Sequence, residues 1–135
     1  MAKRPPCPHE DVEQATLFSW ARMKLFKYPE LDMLYHIPNG GKRNKTEAAR
    51  FKAEGVKAGV PDIHLPVARC GYHSLYIEMK RRYGNTTTEN QDEWIAKLRA
   101  QGNAVEVAYG WEHASQIIES YLNGGYKTNE AQRNI

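Results

Sequence analysis

The sequence has few cysteines and no long apolar run, and both absences narrow what the chain can be. Its 135 residues include two cysteines, Cys7 and Cys70, which lie 63 positions apart without a CxxC or a Cys/His ligand spacing. This pattern argues against a disulfide framework and favours free thiols in a reducing compartment. No apolar run approaches the roughly 20 residues that span a bilayer, and the segment "MAKRPPCPHE" lacks the core of a secretory signal. We therefore expect a cytoplasmic protein that does not enter a membrane.

The chain also lacks a strong overall charge, but its positive charge is concentrated. The formal net charge is +3, whereas residues 42–57 alone carry six basic and two acidic side chains. A local excess of this kind is typical of a surface that contacts a phosphate backbone. A solvated helix face explains the same run equally well, and both interpretations stay open at this point.

Internal repeats and low-complexity blocks are absent, and the composition fits one domain. Hydrophobic residues make up 41% and charged residues 26%, which is ordinary for a globular protein of this length. We expect an N-terminal extension over residues 1–8, one domain over 9–123 and a flexible tail over 124–135.

The periodicity of apolar residues predicts a small mixed sheet flanked by helices, an α/β fold. Helices are predicted at about 9–25, 44–54, 89–101 and 111–122, strands at about 61–67, 72–80 and 104–110, and a short extended segment before residue 39. Thr88 begins a capping box that opens the third helix. The first two strands are predicted to form an antiparallel hairpin, and the third helix makes the last strand parallel to its neighbour.

Three charged residues, Asp62, Glu78 and Lys80, stand in or beside apolar runs, where an unpaired buried charge is costly. Side chains alternate along a strand, so Glu78 and Lys80 share a face about 7 Å apart, and matched apolar faces in the hairpin add Asp62. Two carboxylates beside a lysine suit a hard divalent cation with waters and phosphate oxygens. The alternative is a salt-bridged hairpin with Glu78 and Lys80 exposed, and the spacing alone does not separate the two.

The segments around these residues resemble one nuclease family. "GVPDI" is followed, 16 residues after its aspartate, by "YIEMK", and the pair is similar to the PD-(D/E)XK nuclease motif. "EQATLFSW", "IPNGGKRNKTEAARFKAEGVKAGVPD" and "TENQDEWIAKLRAQGNAVEVAYGWEHA" complete a resemblance to the virus-type replication-repair nuclease (VRR-NUC) family, in particular its small stand-alone phage and prophage members. The resemblance extends from about His9 to Leu122 and implies a restriction-endonuclease-like PD-(D/E)XK core.

The resemblance implies a role for each matching residue. Asp62 and Glu78 are the implied metal ligands, and the backbone carbonyl of Met79 is a third contributor. Lys80 is the implied catalytic lysine. The implied cofactor is Mg²⁺, with Mn²⁺ as the alternative ion.

Two helical positions are also implied to act beside the metal. The first helix offers Glu10 and Glu13, three apart and so near one face, and Glu13 is favoured because it directly precedes the apolar stretch that anchors the helix. Either could instead be an N-terminal dipole partner. Gln91 matches a catalytic glutamine of the family, but a role as the capping-box partner of Thr88 is equally adequate.

Basic and amide side chains are expected to contact DNA through phosphates. The residues concerned are His36, Asn39, Lys42, Arg43, Lys45, Lys57, Arg81 and Arg82. His36 could alternatively be a core histidine. Trp94 and Trp111 are expected to pack in the core rather than to stack on bases. His64 has no metal-ligand partner at a suitable spacing and is left without a role.

The resemblance implies a metal-dependent endonuclease that hydrolyses phosphodiester bonds in DNA through a metal-activated water. Branched DNA such as a Holliday junction is the expected substrate, because no sequence-reading element is found. A homodimer would bring two sites to it. A monomeric flap- or nick-directed nuclease and a catalytically silent DNA-binding module are the alternatives. The phage-type resemblance implies a bacterial host cell and a role in DNA repair or recombination.

Overall fold

A four-stranded sheet flanked by helices forms the protein, and the computed structural model describes residues 7–38 and 44–128 of it. The elements in chain order are α1 (Glu10–Met23), a 3₁₀ helix (Pro29–Met33), β1 (Tyr35–His36), α2 (Lys45–Ala53), β2 (Ile63–Leu65), β3 (Leu75–Lys80), α3 (Glu89–Ala100), β4 (Ala104–Tyr109) and α4 (Trp111–Leu122). Every predicted helix and strand is present with slightly different ends, and the predicted extended segment is the edge strand β1. The 3₁₀ helix is an addition to the prediction.

The strand order β1-β2-β3-β4 combines two kinds of pairing. β1 with β2 and β2 with β3 are antiparallel, whereas β3 with β4 is parallel across the α3 crossover. The mixed sheet, the hairpin and the crossover are therefore confirmed. Ile63 pairs with Ile77 and Leu65 with Leu75, so the apolar side chains of β2 and β3 share one face. The charged side chains of both strands consequently lie on the other face.

The apolar face of the sheet is covered by α1 and α4. Leu17 of α1, Ile118 and Tyr121 of α4 and Ile77 of β3 are all within 1% of complete burial. Each buried side chain of this size contributes about 1.5–3 kcal/mol through the water it displaces from apolar surface. This packing buries the apolar face of the hairpin, whereas the opposite face carries the polar side chains.

The chain beyond α4 is more ordered than the composition suggests. The prediction of a flexible tail from Gly124 does not hold for residues 124–128, because the Tyr126 ring packs edge-on against Tyr121 and Tyr72 and keeps only 8% of its surface exposed. A single aromatic in a polar segment was enough to anchor it. Residues 129–135 lie outside the described part of the chain.

Both cysteines are free thiols. The Cys7 thiol lies 3.4 Å from the carbonyl oxygen of Tyr83, and the Cys70 thiol lies 3.4 Å from that of Tyr121. Within residues 7–38 and 44–128, no helix has the length and apolar character needed to cross a membrane.

Candidate active site

Asp62, Glu78 and Lys80 converge on the polar face of the hairpin. Asp62 directly precedes β2, one position beyond the Ile63–Ile77 pair, so its carboxylate comes beside Glu78. Asp62 Oδ2 accepts a 2.8 Å hydrogen bond from the backbone N–H of Met79. Lys80 Nζ lies 4.0 Å from Glu78 Oε1, and only 5% of Lys80 and 2% of Glu78 is exposed. An ordinary exposed ion pair does not describe these residues, because Glu78 and Lys80 are almost completely buried and Asp62 is partly buried.

The two carboxyl groups differ in how they affect each other: Asp62 raises the pKa of Glu78, whereas a hydrogen bond with the Glu78 side chain lowers that of Asp62. Burial, with a further contribution from the Asp62 charge, raises the pKa of Glu78 to about 9. Burial also raises the pKa of Asp62, against the lowering effect of the Met79 N–H. Glu78 Oε2 is buried and has no hydrogen-bond partner among the described residues. A buried carboxylate oxygen without a donor needs a proton or a cation.

Gln91 has the capping-box role and also contacts Glu78. Its side-chain oxygen accepts a 2.9 Å bond from the Thr88 N–H, and its own N–H donates at 3.2 Å to Thr88 Oγ1, which completes the capping box of α3. Its side-chain NH₂ donates at 2.7 Å to Glu78 Oε1. The cap therefore orients the amide that contacts the buried glutamate.

Of the two first-helix glutamates, Glu10 lies on the side of the acidic pair. Its charge is one of the causes that raise the pKa values of both Asp62 and Glu78. Glu10 Oε1 accepts a 2.7 Å hydrogen bond from the Asn85 side chain. The remaining oxygen of Glu10 accepts from none of the described residues.

Glu13, favoured by the sequence analysis, is held by Arg82 and by the start of α4. Its oxygens accept from Arg82 Nε at 2.9 Å and from the Trp111 backbone N–H at 3.3 Å, and only 1% of the residue is exposed. A signal for this was present, because Glu13, Leu17 and Ala21 follow a four-residue spacing and form the buried stripe of α1. Glu13 thus links α1 to the start of α4.

His36 lies on the edge strand beside the acidic pair. Its Nδ1 is 2.9 Å from the Asp62 backbone carbonyl, and its ring is exposed, so it is not a core histidine. Because a carbonyl accepts only, Nδ1 carries the proton and Nε2 is left facing outward. The His36 charge is one of the factors that lower the pKa of Asp62.

His64, left without a role by the sequence, joins three strands. The Tyr35 hydroxyl lies 2.7 Å from His64 Nδ1, His64 Nε2 lies 3.0 Å from Ser74 Oγ, and Ser74 Oγ donates at 2.8 Å to Asn103. The His64 ring also stacks on Tyr76 at 4.1 Å between centroids. Burial lowers the pKa of His64, which favours the neutral ring that this chain of bonds requires. This chain of side chains, Tyr35, His64, Ser74 and Asn103, which we call the His64 row, cross-links the sheet next to the acidic pair.

The cations predicted to contact DNA fall into three groups. Lys45 and Lys57 are exposed. Arg81 donates to the Cys7 carbonyl at 2.8 Å and Arg82 pairs with Glu13, so these two hold the fold together. Asn39, Lys42 and Arg43 lie outside the described residues.

The two tryptophans behave differently. Trp111 packs against the apolar core, as predicted. Trp94 does not join that core within the described part of the chain; it is half-buried in α3 and lines a surface cleft. The expectation of core packing was therefore wrong for Trp94, because one face of α3 turns away from the sheet.

A metal ion would find a partly built site here. In the described ranges, no group of three or more His, Cys, Asp or Glu side chains is arranged to hold a metal. The acidic pair nevertheless offers two carboxylates and an unsatisfied oxygen. The N–H and C=O of one strand residue point to the same edge, so the Met79 carbonyl faces the Asp62 side. Two carboxylates, a carbonyl and waters are the ligands that Mg²⁺ accepts.

Comparisons with known proteins agree on one family. The VRR-NUC domain family matches residues 10–112. A solved structure described as a VRR_NUC domain protein is 34% identical and superposes with a TM-score of 0.77, over 90% of this chain and 93% of that chain. No curated protein sequence shows significant similarity. The mixed sheet with flanking helices is consistent with a PD-(D/E)XK core, and the chain belongs to the VRR-NUC family of nuclease domains.

Proposed function

We propose that the protein is a divalent-metal-dependent endonuclease that hydrolyses phosphodiester bonds in branched DNA. The observation that carries the proposal is the buried Asp62–Glu78 pair, with Lys80 at its side and one Glu78 oxygen without a hydrogen-bond donor. Two converging acids on a surface that meets a polyanion are unfavourable unless a cation lies between them and the phosphate. A protein that only bound DNA would gain nothing from them.

Asp62, Glu78 and the Met79 carbonyl would hold the ion, Mg²⁺ or Mn²⁺, and Glu10, whose charge acts on both carboxyl groups, is proposed to assist them. Such an ion supplies a polarised phosphate and a water of lowered pKa. The Met79 N–H holds one Asp62 oxygen in place. Glu78, whose pKa burial raises, would give up its proton where an ion is bound.

Lys80 and Gln91 are proposed to act on the reacting groups. The Lys80 ammonium donates to no hydrogen-bond acceptor among the described residues, so it is available to a water or to a phosphate oxygen. A buried ammonium stabilises the charge that develops on phosphate more strongly than an exposed one would. Gln91 positions Glu78, because its amide is fixed at both ends by the cap and by the carboxylate.

The DNA is proposed to approach across the exposed edge beside His36. His36, Lys45 and Lys57 are exposed, so that each can contact a phosphate. Asn39, Lys42 and Arg43 are proposed as further phosphate contacts from the sequence alone, because they lie outside the described residues.

Branched DNA and a two-fold dimer are proposed from the family resemblance and from symmetry. A dimer presents two sites to two strands of a junction, and two-fold symmetry is the commonest oligomer. We further propose that it acts in DNA repair or recombination in the cytoplasm of a bacterial host. A monomeric flap- or nick-directed nuclease is the alternative.

The proposal is tested with wild type and Asp62→Asn on labelled junction, flap and linear DNA, with Mg²⁺, with Mn²⁺ and with EDTA. Asp32→Asn, an exposed aspartate of the 3₁₀ helix, is the matched control. Metal-dependent cleavage of the junction by wild type and the control, but not by Asp62→Asn, is the expected result. Cleavage that survives Asp62→Asn overturns the proposed site. If sedimentation shows only monomers and the cleavage assay shows a preference for flaps, the monomeric flap-directed alternative is favoured.

A further inference from the structure

An open cleft of about 830 Å³ lies between α2 and α3. Its lining includes two aromatic rings, three lysines and an amide, namely Phe51, Lys52, Lys57, Asn90, Trp94 and Lys97. Two residues that line the cleft are close in sequence to residues of the candidate active site. Asn90 directly precedes Gln91, which contacts Glu78, and Gly59 lies three residues before Asp62.

Trp94 is the most informative residue of this cleft. A tryptophan that served packing alone would be expected to join the apolar core, yet its ring lines the cleft. Its indole N–H has no hydrogen-bond acceptor among the described residues, and Lys97 Nζ lies 5.7 Å from the ring centroid. The ring therefore presents a flat apolar surface with a cation at its side.

The charge of the cleft has one sign. Lys52, Lys57 and Lys97 line it, and none of its lining residues, all of which the structure describes, is acidic. A positive groove with aromatic rings is the combination that binds single-stranded nucleic acid, because phosphates meet the cations and unpaired bases stack on the rings. In a duplex each base is stacked between its neighbours, so it cannot stack on an aromatic side chain.

We propose that this cleft binds unpaired nucleotides of a DNA strand next to the cleavage site, with Trp94 stacking on a base and the three lysines contacting phosphates. The identity of the nucleic acid as DNA rests on the proposed function. On one side of the cleft, α3 closely approaches the segment that leads into β2, because Asn90 donates at 2.9 Å to the Ala58 carbonyl next to Gly59.

The first test measures fluorescence anisotropy of a labelled oligothymidylate of about ten nucleotides, a typical site size for single strands. EDTA is present, so the readout does not depend on cleavage. Trp94→Ala is expected to weaken binding about ten-fold, the loss of one base–aromatic stack, and Trp94→Phe to retain most of the affinity. Phe26→Ala removes a ring that is 83% exposed outside the cleft and should bind like wild type. Far-UV circular dichroism shows that each variant is folded.

The second test measures the salt dependence of the same binding. Lys97→Ala should reduce the slope of log affinity against log salt by about 0.7, one phosphate contact on a single strand, whereas Lys27→Ala outside the cleft should not. Equal binding by wild type and Trp94→Ala, or equal competition by a blunt duplex, would overturn the proposal. If wild type binds the oligothymidylate through Trp94 but cleaves no DNA, the cleft proposal stands and the proposed nuclease activity falls.

Discussion

At the scale of single residues, the Asp62–Glu78 pair is electrostatically unfavourable in the metal-free protein. Burial raises the pKa of each carboxyl, and their mutual repulsion adds to that of Glu78. Pairing with Lys80 does not balance this, because the 4.0 Å separation is too long for a direct hydrogen bond. Such unfavourable charges persist at sites where binding of a counter-ion compensates for them.

The raised pKa of Glu78 predicts how the stability of the metal-free protein depends on pH. The folded state keeps a proton that the unfolded chain loses above the ordinary value of 4.5, so the stability is fully present below that value and is lost as pH rises through about 9. Glu78→Gln cannot ionise and still accepts the Gln91 bond. We therefore expect the melting temperature of Glu78→Gln minus that of wild type, both measured in EDTA, to increase as the pH is raised from about 5 to about 8. Parallel melting curves across that range would contradict this prediction.

The two first-helix glutamates should separate into different phenotypes. Glu13→Ala should lower the free energy of unfolding by about 2 kcal/mol, because it removes a buried acceptor from the Trp111 N–H. Glu10→Ala should leave stability nearly unchanged but weaken binding of Mg²⁺. Urea denaturation and titration with Mg²⁺ measure the two effects. The reverse assignment would show that Glu13 turns toward the ion.

At the scale of elements, the periodicity of the sequence predicted the helices, the strands and the faces of the strands. It did not predict features that depend on a single tertiary contact. Strand alternation placed Asp62, Glu78 and Lys80 together, because one register satisfies both apolar faces. The same sequence did not show which first-helix glutamate approaches them, since that depends on which stripe of α1 meets the sheet. Trp94 was misjudged for a related reason: aromatic content predicts burial, but not which face of a helix is covered.

The close contact between the β2 approach and α3 can be tested at glycine. Gly59 has a φ of +91°, and a Cβ there would lie 2.8 Å from Asn90 Nδ2. Gly55 has a φ of +98° with nothing within 4 Å of its Cβ position, so it is the matched control. Gly55→Ala should cost about 1–2 kcal/mol for backbone conformation alone. Gly59→Ala should cost more in urea denaturation; equal costs would mean that Asn90 moves aside freely.

At the scale of the whole molecule, the sheet divides two tasks between its faces. The apolar face, covered by α1 and α4, stabilises the hairpin, and the opposite face carries the acidic pair, the His64 row and the neighbouring α2–α3 cleft. A net charge of +3 is compatible with a polyanionic partner but does not by itself indicate one. The proposed site therefore rests on local negative charges that oppose the overall positive charge.

Divalent ions should stabilise the whole protein through this one site. A ligand present at about 100 times its dissociation constant adds about 2.7 kcal/mol to the free energy of unfolding, so Mg²⁺ or Mn²⁺ should raise the melting temperature. Asp62→Asn should abolish the increase, and Asp32→Asn should retain it. Differential scanning fluorimetry measures both. A metal-dependent increase of the same size in Asp62→Asn would place the ion elsewhere.

The central claim, that the buried pair is the catalytic centre of a metal-dependent nuclease, is tested most directly by single-turnover cleavage of a labelled junction in Mg²⁺. Glu78→Gln is compared with wild type and with Glu93→Gln, an exposed glutamate of α3. The predicted result is a loss of about 100-fold or more for Glu78→Gln, comparable to removing a key electrostatic group, with no such loss for Glu93→Gln and with junction binding retained. Equal cleavage rates for wild type and Glu78→Gln would contradict the claim.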